Sequence, residues 1–237
     1  MQYALLFIGA FLAAGISGSA GFGGALLLLP LLVTTVGVTQ AVPLLTVAQL
    51  FGNLSRVGFG FRQISWKPVG WFMLGAAPAS IVGALLFVSI PKGVSTRLIG
   101  AAILLFVALR FFKVVTFKPS KVNLVAGGAI VGLLSGLVGS AGPLGAAVFL
   151  SLDLPPVSYV ASEATTALAM HAIKSVVYAE LITLDREFWF LAAVLSVGMI
   201  LGTWAASRII RKLKREAFQR YVTVLLVLTA LYMLLHG

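Results

Sequence analysis

The sequence predicts an all-α integral membrane protein of two inverted repeats, each a glycine-broken re-entrant hairpin followed by three transmembrane helices. Three observations lead there. The first is composition: of 237 residues, 60% are hydrophobic and only 10% charged, with a mean hydropathy of +1.10. Soluble domains carry about 25% charge and 45–50% apolar residues, because a folded surface needs polar cover. The apolar residues form long runs, which excludes a disordered chain. The second observation is a glycine-rich cluster that occurs twice. The third is the placement of the 17 basic residues.

Apolar stretches fall at 3–36, 41–61, 69–90, 96–115, 122–152, 157–182, 188–208 and 217–235. Polar or helix-stopping residues separate them, such as Arg62 to Lys67, Pro91-Lys92, Lys118 to Lys121, Pro155-Pro156 and Arg211 to Glu216. Six fit one tilted span of about 20 residues. The first and fifth are longer and carry glycine clusters. The first also imitates a signal peptide, ending its apolar run in Gly18-Ser19-Ala20. No Lys or Arg precedes that run and the same cluster recurs deep in the chain, so the segment is expected to stay in the mature fold.

The recurrence defines two halves, 1–117 and 118–237. Gly15 to Ala25 lines up with Gly136 to Ala146 at an offset of 121, and the offset then becomes 118, so that Ile64 matches Ile182, Trp71 matches Trp189 and Arg56 falls on Lys174. Duplicated hydropathy with glycine-interrupted segments at matching places points to a secondary transporter. Isolated glycines such as Gly75 and Gly202 are read as helix-packing residues. The clusters are read as broken backbone.

Charge decides the topology. If all eight stretches cross the membrane, the basic residues divide seven against eight, which violates the positive-inside rule. If the fifth stretch enters and returns, Arg62, Lys67, Arg110, Lys113, Lys118, Lys121 and the six from Arg208 to Arg220 share one side. Lys92, Arg97 and Arg186 lie opposite. Twelve against three makes the loops near 62–67, 110–121 and 208–220 cytoplasmic. By the repeat, 3–36 is also a hairpin, and the three spans that follow each hairpin invert the halves.

Non-helical backbone at membrane depth survives only when buried in protein or lining a wet cavity. A glycine turn feeding a helix offers amide donors and the positive end of the helix dipole, a combination that binds anions. The candidate binding residues are therefore Gly18, Ser19, Gly21, Gly23 and Gly24, with Gly139, Ser140, Gly142 and Gly145 in the second half. Ionisable residues at membrane depth are functional candidates by default. Gln49, Asn53 and Arg56 share one helix face, and His171 and Tyr178 lie beside Lys174 at helical spacing. Arg56 and Lys174 are expected to supply charge, with Gln49, Asn53 and His171 as polar contacts. Snorkelling to the surface is the competing reading for Arg56, and an interhelical hydrogen bond for His171. Glu163 shares a face with Lys174 but lies about 16 Å away along the helix axis, which leaves it a candidate for proton coupling. The four tryptophans are read as interfacial anchors.

An enzyme reading competes. Gly15-Ile16-Ser17-Gly18 matches the G-x-S-G pattern of rhomboid intramembrane proteases, with His171 as a distant base. At the offset of 121, however, Ser17 becomes Val138, so the repeat does not keep the nucleophile. The chain has no cysteine, which excludes thiolate metal sites and cysteine catalysis. It also lacks a paired His or carboxylate cluster, so neither metal nor cofactor is expected. The net charge of +11 is a topological signal, and no nucleic acid is implied.

The spacing Gly15, Gly18, Gly21, Gly24, repeated at Gly136, Gly139, Gly142 and Gly145, together with two four-segment halves, resembles the sulfite exporter TauE/SafE family of bacterial inner-membrane transporters. The second copy departs from the first at Pro143-Leu144, where the first has Phe22-Gly23. The resemblance implies export of sulfite or organosulfonates such as sulfoacetate. A sulfonate has three acceptor oxygens suited to amide turns and a cation. The expected partners are a small sulfur-containing anion and the lipid bilayer, with a homodimer left open. An anion channel of the same fold is the alternative.

Overall fold

The computed structural model describes residues 2–36, 38–86, 120–181 and 185–210, with isolated positions between 214 and 228. The described residues fold as α1 (Gln2–Ala20), α2 (Gly24–Val36), α3 (Val38–Gly60), α4 (Trp66–Leu86), α5 (Lys121–Val138), α6 (Gly142–Leu150), α7 (Pro156–Leu181) and α8 (Arg186–Ile210). A 3-10 turn, Phe61–Gln63, joins α3 to α4. The expected spans at 96–115 and 217–235 lie outside the described residues. So do most of the basic residues used to choose the topology, including Lys92, Arg97, Arg110, Lys113, Lys118, Arg211, Lys212 and Arg215.

Local chemistry starts several of these helices. Ser120 caps α5 by accepting from the Asn123 amide at 3.1 Å, and Asp185 accepts from the Phe188 amide at 2.7 Å at the start of α8. Pro156 opens α7, where its missing amide proton costs nothing. Among the described residues, three segments are long and apolar enough to cross a bilayer: Tyr3–Ala20, Trp66–Leu86 and Arg186–Ile209. At 1.5 Å per residue, the 19 residues of α1 rise about 28 Å, whereas the 13 of α2 and nine of α6 rise about 20 and 14 Å. Each broken segment therefore has a long first arm and a short second one.

Burial is inverted relative to a water-soluble protein. Leu5, Ile8 and Leu12 of α1, Leu74, Ile81 and Leu85 of α4 and Val197, Ile200 and Leu201 of α8 are exposed, while Gln49, Asn53, Arg56, Glu163 and Lys174 are buried. In water such a surface would aggregate; against lipid it is the required one. The protein is an all-helical membrane protein. Trp66, Trp189 and Trp204 are exposed at helix ends. Arg208 stacks over Trp204 with its guanidinium carbon 3.8 Å from the ring centre.

Small residues set the packing. Gly9 faces Leu31 while Gly24 faces Ala13 and Ser17, so α2 runs back along α1. Gly127 faces Val148 and Gly145 faces Val131, so α6 runs back along α5. Each folded-back pair then docks on the opposite half. On α5, Gly128, Gly132 and Gly136 pack in turn on the α4 backbone from Phe72 to Ala84. On α8, Gly198 and Gly202 pack on the α1 backbone near Phe7 and Phe11, and Gly18 of α1 packs on Thr203 and Ala206. Both seams run parallel, and the four-residue spacing of small side chains brings the backbones into contact. Gly75 and Gly202 do serve packing.

The two halves also meet through α3 and α7, which run antiparallel. Gly60 packs on Val157 and Ala161, and beyond it the Ser65 amide donates to Ser162 Oγ at 2.9 Å. At the other edge of the same region, the Lys121 ammonium lies 5.0 Å from the centre of the Trp71 ring. Helices α4, α5 and α7 thus all begin at one end of the bundle. Tyr3 meets Phe190 edge-to-face, centroids 5.3 Å apart, so α1 and α8 also begin together.

Placing a side chain in the α4–α5 seam is expected to force these backbones apart. Gly132→Val should lose about 1–3 kcal/mol by overpacking. Gly58→Ala, which faces open space, should change stability by less than about 1 kcal/mol. Thermal unfolding in detergent checks this, and equal midpoints for the two variants would refute the seam.

Candidate functional site

The site begins where two helices stop. After Ala20 and Val138 the backbone turns through Gly21 (φ 88°) and Gly139 (φ 82°), left-handed conformations that glycine adopts without strain. Helices α2 and α6 restart at Gly24 and Gly142. A helix stopped in an apolar interior leaves carbonyls without partners, and these must be satisfied from elsewhere.

Two cations supply donors at these ends. Arg56 Nη1 donates to the carbonyls of Ser17 at 3.2 Å and Gly21 at 2.5 Å. Lys174 Nζ donates to the carbonyls of Ser135 at 3.3 Å and Gly139 at 2.7 Å, and to Ser135 Oγ at 3.0 Å. A positive charge at a helix C-terminus is also favoured by the dipole. Tyr178 adds a bond from its hydroxyl to the Gly136 carbonyl at 3.3 Å. Arg56 does not snorkel: it is 3% exposed, and Lys174 is fully buried.

These contacts correct the register of the duplication. Arg56 with Lys174, Ser17 with Ser135, Gly21 with Gly139, and the helix starts Gly24 and Gly142 are all separated by 118. The offset of 121 at the glycine clusters aligned similar letters at the wrong geometry. Ser19 and Ser140 are therefore not equivalent: they fall on Leu137 and Phe22. Ser17 corresponds to Ser135 and not Val138, so the loss of a second serine is no longer an argument against hydrolysis. The Ser17 hydroxyl donates to the Ala14 carbonyl at 3.4 Å, within its own helix, and not to His171.

Between the two restarted helices lies a cavity of about 30 Å³. Of the expected residues, Gly21, Gly23, Gly24, Gln49, Asn53, Arg56, Ser140, Gly142, Gly145, Glu163 and His171 line it. Gly18, Ser19, Gly139 and Lys174 do not. Gly18 lies in the last turn of α1, packed on α8, and the Ser19 hydroxyl donates to the Ile16 carbonyl at 3.0 Å. Gly139 and Lys174 are engaged with each other behind the cavity wall. Ser17, Ser135 and Thr166 line the cavity without having been expected. A uniform offset of 118 would have exposed the serine pair, whereas Thr166 shows only in its position one turn beyond Glu163.

Three buried polar atoms on this wall have no hydrogen-bond partner among the described residues: Asn53 Nδ2, Arg56 Nε and His171 Nδ1. The first two are donors, and Asn53 and His171 occupy matching positions in the two halves. Asn53 also accepts from Arg56 through Oδ1. Glu163 pairs with Arg56 and not with Lys174, its Oε2 lying 3.3 Å from Nη1. The wall therefore combines two helix N-termini, unsatisfied donors and a guanidinium, a set that suits an oxyanion.

A family model for the sulfite exporter TauE/SafE proteins matches residues 6–233. The chain belongs to the sulfite exporter TauE/SafE family. No curated protein and no solved structure matches it at a significant level. TauE/SafE is a transporter family, so this chain is at family level a membrane exporter of sulfur anions. Membership in a transporter family is what now weighs against the protease reading of Gly15-Ile16-Ser17-Gly18.

The geometry divides the labour of the two cations in this TauE/SafE protein. Lys174→Met, which keeps volume but removes three donors, should destabilise the fold by about 2–4 kcal/mol, the scale of leaving buried acceptors unpaired. Chemical unfolding in detergent reads the loss. A variant as stable as the parent would rule out helix capping as the role of Lys174.

Proposed function

We propose that this protein exports a small sulfur oxyanion, sulfite or an organosulfonate such as sulfoacetate, across the bacterial inner membrane by alternating access around the cavity between the two helix breaks. The observation that carries the reading is the set of unsatisfied donors on that wall: Asn53 Nδ2 and Arg56 Nε point no bond at protein, and an oxyanion supplies the missing acceptors. The amide ends of α2 and α6 would hold the anion's oxygens, as the glycine turns were expected to do, but through Gly23, Gly24 and Gly142 and not through Gly18 or Ser19. Arg56 supplies the charge at the anion. Lys174 supports the site from behind, and Gln49 and His171 complete the polar lining.

The two halves are read as inverted repeats with re-entrant hairpins at α1–α2 and α5–α6. Two features support this. Helices α5 and α7 begin at the same end of the bundle, as a segment that enters and returns requires. Each half also packs its first helix on the fourth of the other, so exchanging the halves leaves the packing scheme unchanged. Rocking one such half against the other would open the cavity to alternate sides. At about 30 Å³, where one water needs about 10–15 Å³, the cavity is too small for a sulfite until it opens.

Flux of labelled sulfite and sulfoacetate in proteoliposomes tests the function. Transport should saturate, and Arg56→Gln should slow it by at least tenfold, matching about 1.5–3 kcal/mol for a charge-assisted contact. His171→Ala should raise KM roughly three- to tenfold, the worth of one neutral hydrogen bond. Flux that rises linearly with concentration would favour the channel, and unaltered flux in Arg56→Gln would reject the site. Topology is tested by labelling single cysteines, since none is native. Lys121→Cys and Asp153→Cys should react from the same side of the membrane. Labelling from opposite sides would make 121–153 a full crossing.

A further inference from the structure

We propose that Glu163 is a tethered competitor of the transported anion: it occupies Arg56 until displaced as the neutral acid, so each anion bound carries one proton with it. The inference rests on the anion-site reading above. Arg56 is the single hydrogen-bond partner of the Glu163 carboxylate among the described residues, with Oε2 3.3 Å from Nη1. The two side chains are 3% and 4% exposed, come from opposite halves, and both line the cavity. A carboxylate and a sulfur oxyanion offer a guanidinium the same kind of acceptor oxygens. Glu163 therefore stands where the ligand would bind.

The duplication argues that this pair is not needed to hold the fold. The position matching Glu163 in the first half is Leu45, buried in the apolar core. Lys174, the match of Arg56, caps its helix through carbonyls and a hydroxyl, with no acid paired to it among the described residues. Capping a broken helix thus needs no carboxylate. The carboxylate is an addition to one half, made where it faces the cavity.

Charge balance fixes the stoichiometry. With the ion pair closed, the carboxylate and guanidinium cancel. An anion replacing a departing carboxylate would leave two negative charges against one positive in a buried space, which is costly. If Glu163 takes one proton as it leaves, the site holds a neutral acid, one guanidinium and one singly charged anion or sulfonate group, and its net charge is unchanged. Among the described residues, the other titratable groups near Glu163 lie on its own helix: Tyr159 one turn before it, His171 two turns beyond and Lys174 further on. From α3 comes Arg56. Helices α1, α2, α4, α5 and α6 bring no buried ionisable side chain.

Isothermal titration of methanesulfonate into the full chain in detergent, at neutral pH in two buffers of different ionisation enthalpy, counts the protons. Methanesulfonate is a fully ionised monoanion there and contributes none. About one proton per anion is expected for the parent and for Glu163→Asp. Glu163→Gln should take up none and bind about tenfold more tightly, as removal of a competing buried charge allows. Binding without proton uptake in the parent, or uptake that persists in Glu163→Gln, overturns the competitor role and leaves the anion site standing. No binding by any of the three chains overturns the site reading and this proposal with it.

Discussion

A helix that stops inside a membrane protein must hand its last carbonyls to something, and the rest of this structure is arranged around that need. Water is absent and lipid offers no donors, so an unsatisfied end would cost several kcal/mol. The chain meets the need twice with a cation from the neighbouring helix of the same half: Arg56 for α1 and Lys174 for α5. Once the carbonyl end is satisfied, the amide end of the next short helix is left facing the cavity. The break thus turns the positive end of a helix dipole toward the cavity.

The glycines divide into two physical classes that the sequence does not separate. Gly21 and Gly139 are conformational: a side chain there would strain the left-handed turn that lets α2 and α6 fold back. Gly18 and Gly136 sit only three residues earlier, and they do something else. They are the last members of the two parallel seams that lock each half onto the other. Seam and break are joined at one helix end, so a shift of the seam moves the cation-capped turn and the cavity beside it.

Much of the candidate site was legible along the chain because helical spacing is a rigid constraint. Gln49, Asn53 and Arg56 had to share a face, and the structure turns that face to the cavity. The helix-packing role of Gly75 and Gly202 was legible too. What misled was similarity of letters. Glycine clusters align well at 121, yet a helix end and the cation that caps it can only repeat together, and they repeat at 118. The partner of Glu163 was equally hidden, since helical period relates it only to residues of α7, with Lys174 about 16 Å away, while the carboxylate reaches across to α3.

By itself, the sequence determined that this is an all-helical membrane protein with glycine breaks and a few buried polar residues. Those conclusions follow from hydropathy and helical period, which are local. Only the tertiary structure decided that Lys174 stands behind the wall while Arg56 stands in it, that Gly18 and Ser19 belong to a packed helix turn, and that Glu163 closes on Arg56. Each of these depends on which helices become neighbours. Neighbours here are chosen by the fit of small residues between segments far apart in the chain, a matter of shape that no local pattern records.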